Sequence, residues 1–164
     1  YAPKGYEVNP EMISNAYRKW YAEQGRLGLQ DEPLYPGMVK LIHDLKSNKE
    51  FNIGVATNKS RIALNNGLKK HNLNEVFDIT LTMEEAKPKP DPDMAIQAMS
   101  KFNIEKKSTV IVGDTINDIG LGVNAGINSI GVAWGYNSIE MLCNQGADFI
   151  VKDSKELFDT IINL

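Results

Sequence analysis

The chain has 164 residues, of which 42% are apolar and 24% charged, and its net charge is −3. That length holds one domain with a real hydrophobic core and is short for two, and the composition is that of a globular protein. The acidic balance, with no basic block or Arg-rich helix, argues against a nucleic-acid partner. No apolar run approaches the ~20 residues of a membrane helix, and the stretch from Tyr1 to Tyr6 lacks the layout of a secretory signal.

In chain order, Asn9, Pro10 and Glu11 read as a helix start: a capping side chain, a proline at the first helical position, and an acid in the first turn. Met12, Ile13, Ala16, Tyr17, Trp20 and Tyr21 follow at helical spacing, as a packing stripe, and Gly25 is the expected stop. Residues 25–37, rich in Gly, Pro and charge, read as a linker that divides a helical segment, 1–33, from a main body, 34–164. The body then alternates. Helices are expected over 38–45, around Ile62 to Leu68, from Met94 to Phe102, up to Gly126, over 138–145 and over 154–162. Strands are expected over 51–57, 77–81, 109–113, 129–133 and 148–151. Short apolar runs alternating with helical periods predict an α/β fold with a mainly parallel sheet.

Cys143 is the single cysteine, so no intrachain disulfide or Cys-based zinc site forms, and a reducing cytoplasm is expected. Its helical setting predicts a small buried side chain. His43 and His71 fall late in predicted helices, where a surface or capping role suits them better than metal binding.

The chemistry gathers at three strand ends. Thr57 and Asn58, with Lys59 and Ser60, offer a hydroxyl, an amide and helix-start N–H groups, a neutral cradle for a tetrahedral oxyanion. Ser60 also reads as an ordinary N-cap. Lys87, fixed by Pro88, is a positioned ammonium that can offset charge on a phosphate. Asp114 and Asp118 follow the strand ending at Gly113 and make an oxygen-rich site suited to Mg²⁺. An acid in that position also serves as a helix cap.

Taken together, Val55 to Lys59, Lys87 to Pro90, and Gly113 to Asp118 with Ala125 and Gly126 behind them resemble the haloacid-dehalogenase-like (HAD) hydrolases. The likeness is greatest to the phosphoglycolate-phosphatase-like group with a small helical cap. It runs from about Leu34 to Leu164 and includes residues 9–25 as the last cap helix. The resemblance implies a three-layer Rossmann-like parallel sheet and a Mg²⁺-dependent phosphatase of small phosphorylated metabolites, acting through an aspartyl-phosphate. It implies that Thr57 and the Asn58 backbone hold the phosphoryl group, that Lys87 bridges nucleophile and phosphate, that Asp114 binds Mg²⁺, and that Asp118 supports the metal shell. A non-catalytic phosphate- or partner-binding module, or a phosphomutase of the same superfamily, remain as alternatives.

The family's nucleophile belongs to an Asp-x-Asp-Gly-Thr/Ser sequence at the end of an opening strand, and none of the 164 residues supplies it. Asp91 and Asp93 lie in a proline loop with no strand before them, and Asp31 and Glu32 lie in the linker. The opening strand implied by the resemblance sits between the strands ending at Thr57 and Gly113. Without it, facing strand edges expose backbone groups whose burial unpaired costs about 1–3 kcal/mol each. A free-standing monomer is therefore expected not to hold the sheet intact and to lack turnover. A fragment of a longer protein is the expected explanation, with a strand donated by another chain or an edge-to-edge dimer as alternatives.

Overall fold

The computed structural model describes residues 33–164 together with Met12, Ala16, Lys19, Trp20 and Glu23. The chain divides into two units, Tyr1–Pro33 and Leu34–Leu164. In the first, the five described residues are helical, and Met12 and Trp20 are exposed. The helix start at residues 9–11, the stop at Gly25 and most of the linker lie outside the described residues.

Among the described residues, the second unit alternates helix and strand throughout. Helix α1 (Met38–Ser47) precedes strand β1 (Gly54–Thr57), and α2 (Arg61–Lys70) leads to β2 (Ile79–Thr82). Then come α3 (Asp93–Phe102), a short 3₁₀ turn (Lys106–Ser108), β3 (Val110–Gly113) and α4 (Ile116–Ala125). The chain closes with β4 (Asn128–Val132), α5 (Ile139–Gln145), β5 (Phe149–Val151) and α6 (Ser154–Ile162). Side-chain caps mark several helix starts. Ser60, Thr115, Ser138 and Asp153 each accept N–H groups of the following turn, satisfying donors that have no intrahelical partner.

Two strands begin later than their apolar runs suggest. The carboxylate of Asp78 accepts the Ile53 N–H at 3.0 Å, and the Asp78 N–H donates to the Ile53 carbonyl at 2.8 Å. A side chain thus takes over a ladder position, and regular pairing starts at Gly54 opposite Ile79. Lys46 pairs with the same carboxylate. Both the lysine and the Ile53 N–H hold Asp78 below the usual carboxylate range.

The strands form two parallel sheets, β1-β2 and β3-β4-β5, and β1 and β3 are not hydrogen-bonded to each other. One helical layer nevertheless covers both sheets, and Phe51 and Ile53, just before β1, join the core on the opposite face. On one face Ala56, Ile79 and Ile111 pack with Leu81, Met94, Ala95, Leu121 and Ala125, from α3, α4 and the strands. On the other, Val110 and Val112 pack with Ile130, Val132 and Val151 and with Leu41, Leu45 and Leu157 of α1 and α6. Ile111 points one way and its neighbours the other, the period-two alternation of a strand covered on both faces. This is the three-layer α/β arrangement, with its sheet parted between β1 and β3. Cys143 is exposed, contrary to the buried position expected for it; the adjacent Leu142 takes the interior place, fully buried.

Candidate active site

β1 and β3 deliver their carboxyl ends to one rim, and a single ammonium connects them. Lys89 Nζ donates to the Ala56 carbonyl at the end of β1, at 2.8 Å, and to Asp118 Oδ1 at the start of α4, at 2.5 Å. The lysine side chain is only 13% exposed and the aspartate 7%. A charge pair this enclosed needs its other hydrogen-bonding capacity filled, and Asp118 meets that requirement. Its Oδ2 accepts the Thr115 N–H at 3.0 Å and the Thr115 hydroxyl at 2.6 Å, completing a capping box at the head of α4. Gly113 permits this approach, because a Cβ there would lie 2.1 Å from Asp118 Cβ.

Lys89 is thus the lysine that joins the two strand ends, and Lys87, the lysine expected from the sequence, lies two residues before it in the same loop. The Lys87 side chain is 74% exposed and, among the described residues, pairs with Asp91 at 3.9 Å. Its backbone N–H is the part that is used, donating to Asp93 Oδ2 at 3.0 Å. That bond lowers the Asp93 pKa, helped by Gln97 and the Lys87 charge. The two lysines share one Lys-Pro pattern, and the partners that tell them apart, Ala56, Asp118 and Asn58, are 31 or so residues distant in the chain.

Thr57 and Asn58 follow β1. Thr57 Oγ1 accepts the Lys59 N–H at 3.1 Å, which turns the chain into α2, and Ser60 caps that helix as its sequence suggested. The Asn58 side chain is committed to the lysine loop: Oδ1 accepts the Lys89 N–H at 2.7 Å and Nδ2 donates to the Lys89 carbonyl at 3.0 Å.

Asp114, half-buried at the end of β3, is held by the loop after β4. Its Oδ2 accepts the Tyr136 N–H at 3.0 Å, and its carbonyl accepts the Asn137 N–H at 3.1 Å. Asn137 in turn accepts the Ile116 N–H at 2.8 Å. Burial raises the Tyr35 phenol pKa, and the Asp114 and Tyr136 charges push the same way, so Tyr35 lies within electrostatic reach of this acid. Sequence reasoning missed these supports, since Tyr136 and Asn137 act through backbone or a turn that no spacing announces.

A second network anchors the lysine loop at its root. Arg61 grips Glu85 with Nε at 3.1 Å and Nη2 at 2.8 Å, and Thr82 donates to the same carboxylate from its N–H and hydroxyl. Arg61, then Thr82, hold Glu85 at a pKa of about 2.

Asp114 supplies hard oxygen in a form suited to Mg²⁺, which binds through one or two carboxylates and keeps waters and substrate phosphates as its other ligands. Both oxygens of Asp118 are engaged, Oδ1 by Lys89 and Oδ2 by Thr115. No group of three or more His, Cys, Asp or Glu arranged to hold a metal occurs among the described residues. Nor is any described helix long and apolar enough to cross a membrane.

Comparison with known proteins agrees with this fold. Pyrophosphatase PpaX of Bacillus velezensis is 31% identical over 150 residues, covering 90% of this chain and 66% of that protein. The chain thus spans about two thirds of the length of that relative. A predicted phosphatase from Clostridium acetobutylicum matches with a TM-score of 0.82 at 28% identity, covering 96% of this chain and 73% of that one. A predicted phosphoglycolate phosphatase from Haemophilus somnus shares the fold, with a TM-score of 0.81 at 24% identity, over 94% of this chain and 68% of that one. The family model described as haloacid dehalogenase-like hydrolase matches residues 3–132. The chain belongs to the haloacid dehalogenase-like hydrolase family.

Proposed function

We propose that this chain is the greater part of a Mg²⁺-dependent phosphatase that acts on a small phosphorylated metabolite in the cytoplasm, through an aspartyl-phosphate. The nucleophilic aspartate is carried on a strand outside these 164 residues, which enters between β1 and β3. Residues 1–33 contribute to a cap in this reading. The observation that carries the proposal is the Lys89 bridge, which draws the end of β1 and the start of α4 around one place on the rim.

Each residue then has a task. Thr57 Oγ1 and the Asn58 N–H receive the phosphoryl oxygens. Lys89 offsets charge on the nucleophile and on the transferring group. Asp114 is the residue of this chain that would hold Mg²⁺, which when bound neutralises phosphoryl charge. Asp118 positions Lys89. The carboxylate outside the chain attacks phosphorus while the bond to the leaving oxygen breaks. Water then displaces the aspartate, releasing orthophosphate and restoring the carboxylate.

The chain alone binds phosphate without turnover in this account. The test is hydrolysis of p-nitrophenyl phosphate and of inorganic pyrophosphate, with and without Mg²⁺, by the 164 residues and by the protein with its opening strand supplied. Turnover is expected only in the second case and only with Mg²⁺. Turnover by the 164 residues would contradict the placement of the nucleophile, and none by either form would contradict the phosphatase reading.

A further inference from the structure

The loop from β4 to α5, residues 133–137, is fixed at both ends where it passes Asp114. At its root the Ala133 N–H donates to the Val151 carbonyl of β5 at 2.9 Å, and Trp134 packs against the core that Leu41, Leu45 and Leu157 share. At its far end Ser138 caps α5. Between these anchors Gly135 lies so close to Asp114 that a Cβ there would stand 2.0 Å from Asp114 Cβ and 2.5 Å from Oδ2. That approach lets the Tyr136 N–H reach Oδ2 at 3.0 Å and the Asn137 N–H reach the Asp114 carbonyl at 3.1 Å. Asn137 Oδ1 closes the bracket by accepting the Ile116 N–H at 2.8 Å. One carboxylate oxygen of Asp114 is thereby occupied, and the described residues bring no donor to the other, Oδ1.

We infer that Gly135 and Tyr136 are positioning residues that limit Asp114 to coordination through one oxygen, and that this limit biases the site toward Mg²⁺ over Ca²⁺. This deepens the reading of Asp114 as the residue of this chain that would hold the metal, and rests on it. Mg²⁺ is small and demands a near-octahedral set of ligands, whereas the larger Ca²⁺ takes about six to eight oxygens and accepts a carboxylate through both of its own. A carboxylate with one oxygen held by a fixed N–H suits the first ion. It can give both oxygens to the second only by breaking that hydrogen bond. The donor is backbone, so the Tyr136 side chain, 87% exposed, takes no part in the selection.

The test measures Mn²⁺ binding by electron paramagnetic resonance in the protein with its opening strand, with Mg²⁺ and then Ca²⁺ as competitors, and circular dichroism confirms folding. Tyr136→Pro deletes the donor and should shift the ratio of the two competing concentrations toward Ca²⁺ by about tenfold, the scale of losing one outer partner of a metal ligand. Tyr136→Ala keeps the N–H and should leave the ratio where it stands in the parent. Gly135→Ala pushes the loop off Asp114, should move the ratio in the same direction as Tyr136→Pro, and decides the matter if that variant fails to fold. General loosening of the site would weaken both ions alike and leave the ratio in place. An unchanged ratio in a folded Tyr136→Pro or Gly135→Ala protein, or as large a shift in Tyr136→Ala, overturns the inference. Failure of the metal reading itself shows differently, as Mn²⁺ binding of parental strength in Asp114→Asn.

Discussion

Lys87 and Lys89 sit two residues apart in identical Lys-Pro dipeptides, yet one is 74% and the other 13% exposed. The difference predicts opposite outcomes. Lys89→Ala in the protein with its opening strand should lower kcat by about 10²–10³, the usual cost of removing one preorganised charge-stabilising donor. Lys87→Ala should leave kcat within a few-fold of the parent. Steady-state kinetics on a phosphate ester checks both, and a larger loss at Lys87 would favour that lysine, the one expected from sequence. Asp114→Asn should weaken Mg²⁺ dependence, read as a rise in the metal concentration giving half-maximal rate. An unshifted metal curve would remove Asp114 from the metal site.

Glu85 carries a pH prediction whose sign follows from its partners. Its folded pKa is lowered, to about 2, by Arg61 and Thr82. The stability it contributes is therefore complete above the ordinary value of 4.5 and is withdrawn as pH falls through the folded pKa. Glu85→Gln should flatten Tm against pH between 4.5 and about 2 relative to the parent. Parallel curves over that window would show that Arg61 does not favour the charged form in solution.

Among elements, the helices were the most legible, because their apolar periods and caps act locally. The helix over 154–162 starts at its Asp153 cap, and the one ending at Ala125 stops before Gly126. Strand starts were less so. The apolar run from Phe51 predicts a strand, but Asp78 supplies a side-chain acceptor to Ile53 and postpones the ladder. The rim acids and Thr57 could be named from their places after strands. Asn58's grip on the lysine loop could not, since amide geometry across 31 residues leaves no local trace. At this scale the head of α4 is the most constrained junction. Gly113→Ala would drive a Cβ into Asp118 and should destabilise the fold by about 1–3 kcal/mol. Urea denaturation measures this; an unchanged midpoint would mean that the Asp118 capping box tolerates displacement.

For the whole molecule, the division of strands into β1-β2 and β3-β4-β5 is the feature from which the functional account grows. A shared helical layer keeps both sheets in one body, and the Lys89–Asp118 pair ties the end of β1 to the start of α4. Cores on both faces follow from the apolar strands, so the α/β class was readable in advance. The parting of the sheet was anticipated from the missing Asp-x-Asp-Gly sequence, a reading that needed family resemblance rather than periodicity. An inserted parallel strand would pair with β1 on one side and β3 on the other, and would carry its terminal residue to the rim between Thr57 and Asp114.

The most direct measurement is a crystal structure of the protein with its opening strand present, grown with Mg²⁺ and beryllium fluoride as a mimic of the phosphorylated carboxylate. The account predicts a strand between β1 and β3 whose aspartate bears the fluoride, within hydrogen-bonding distance of Thr57 Oγ1 and Lys89 Nζ, with the metal on Asp114. A mimic bound elsewhere, or contacted by Lys87 while Lys89 faces away, would contradict it.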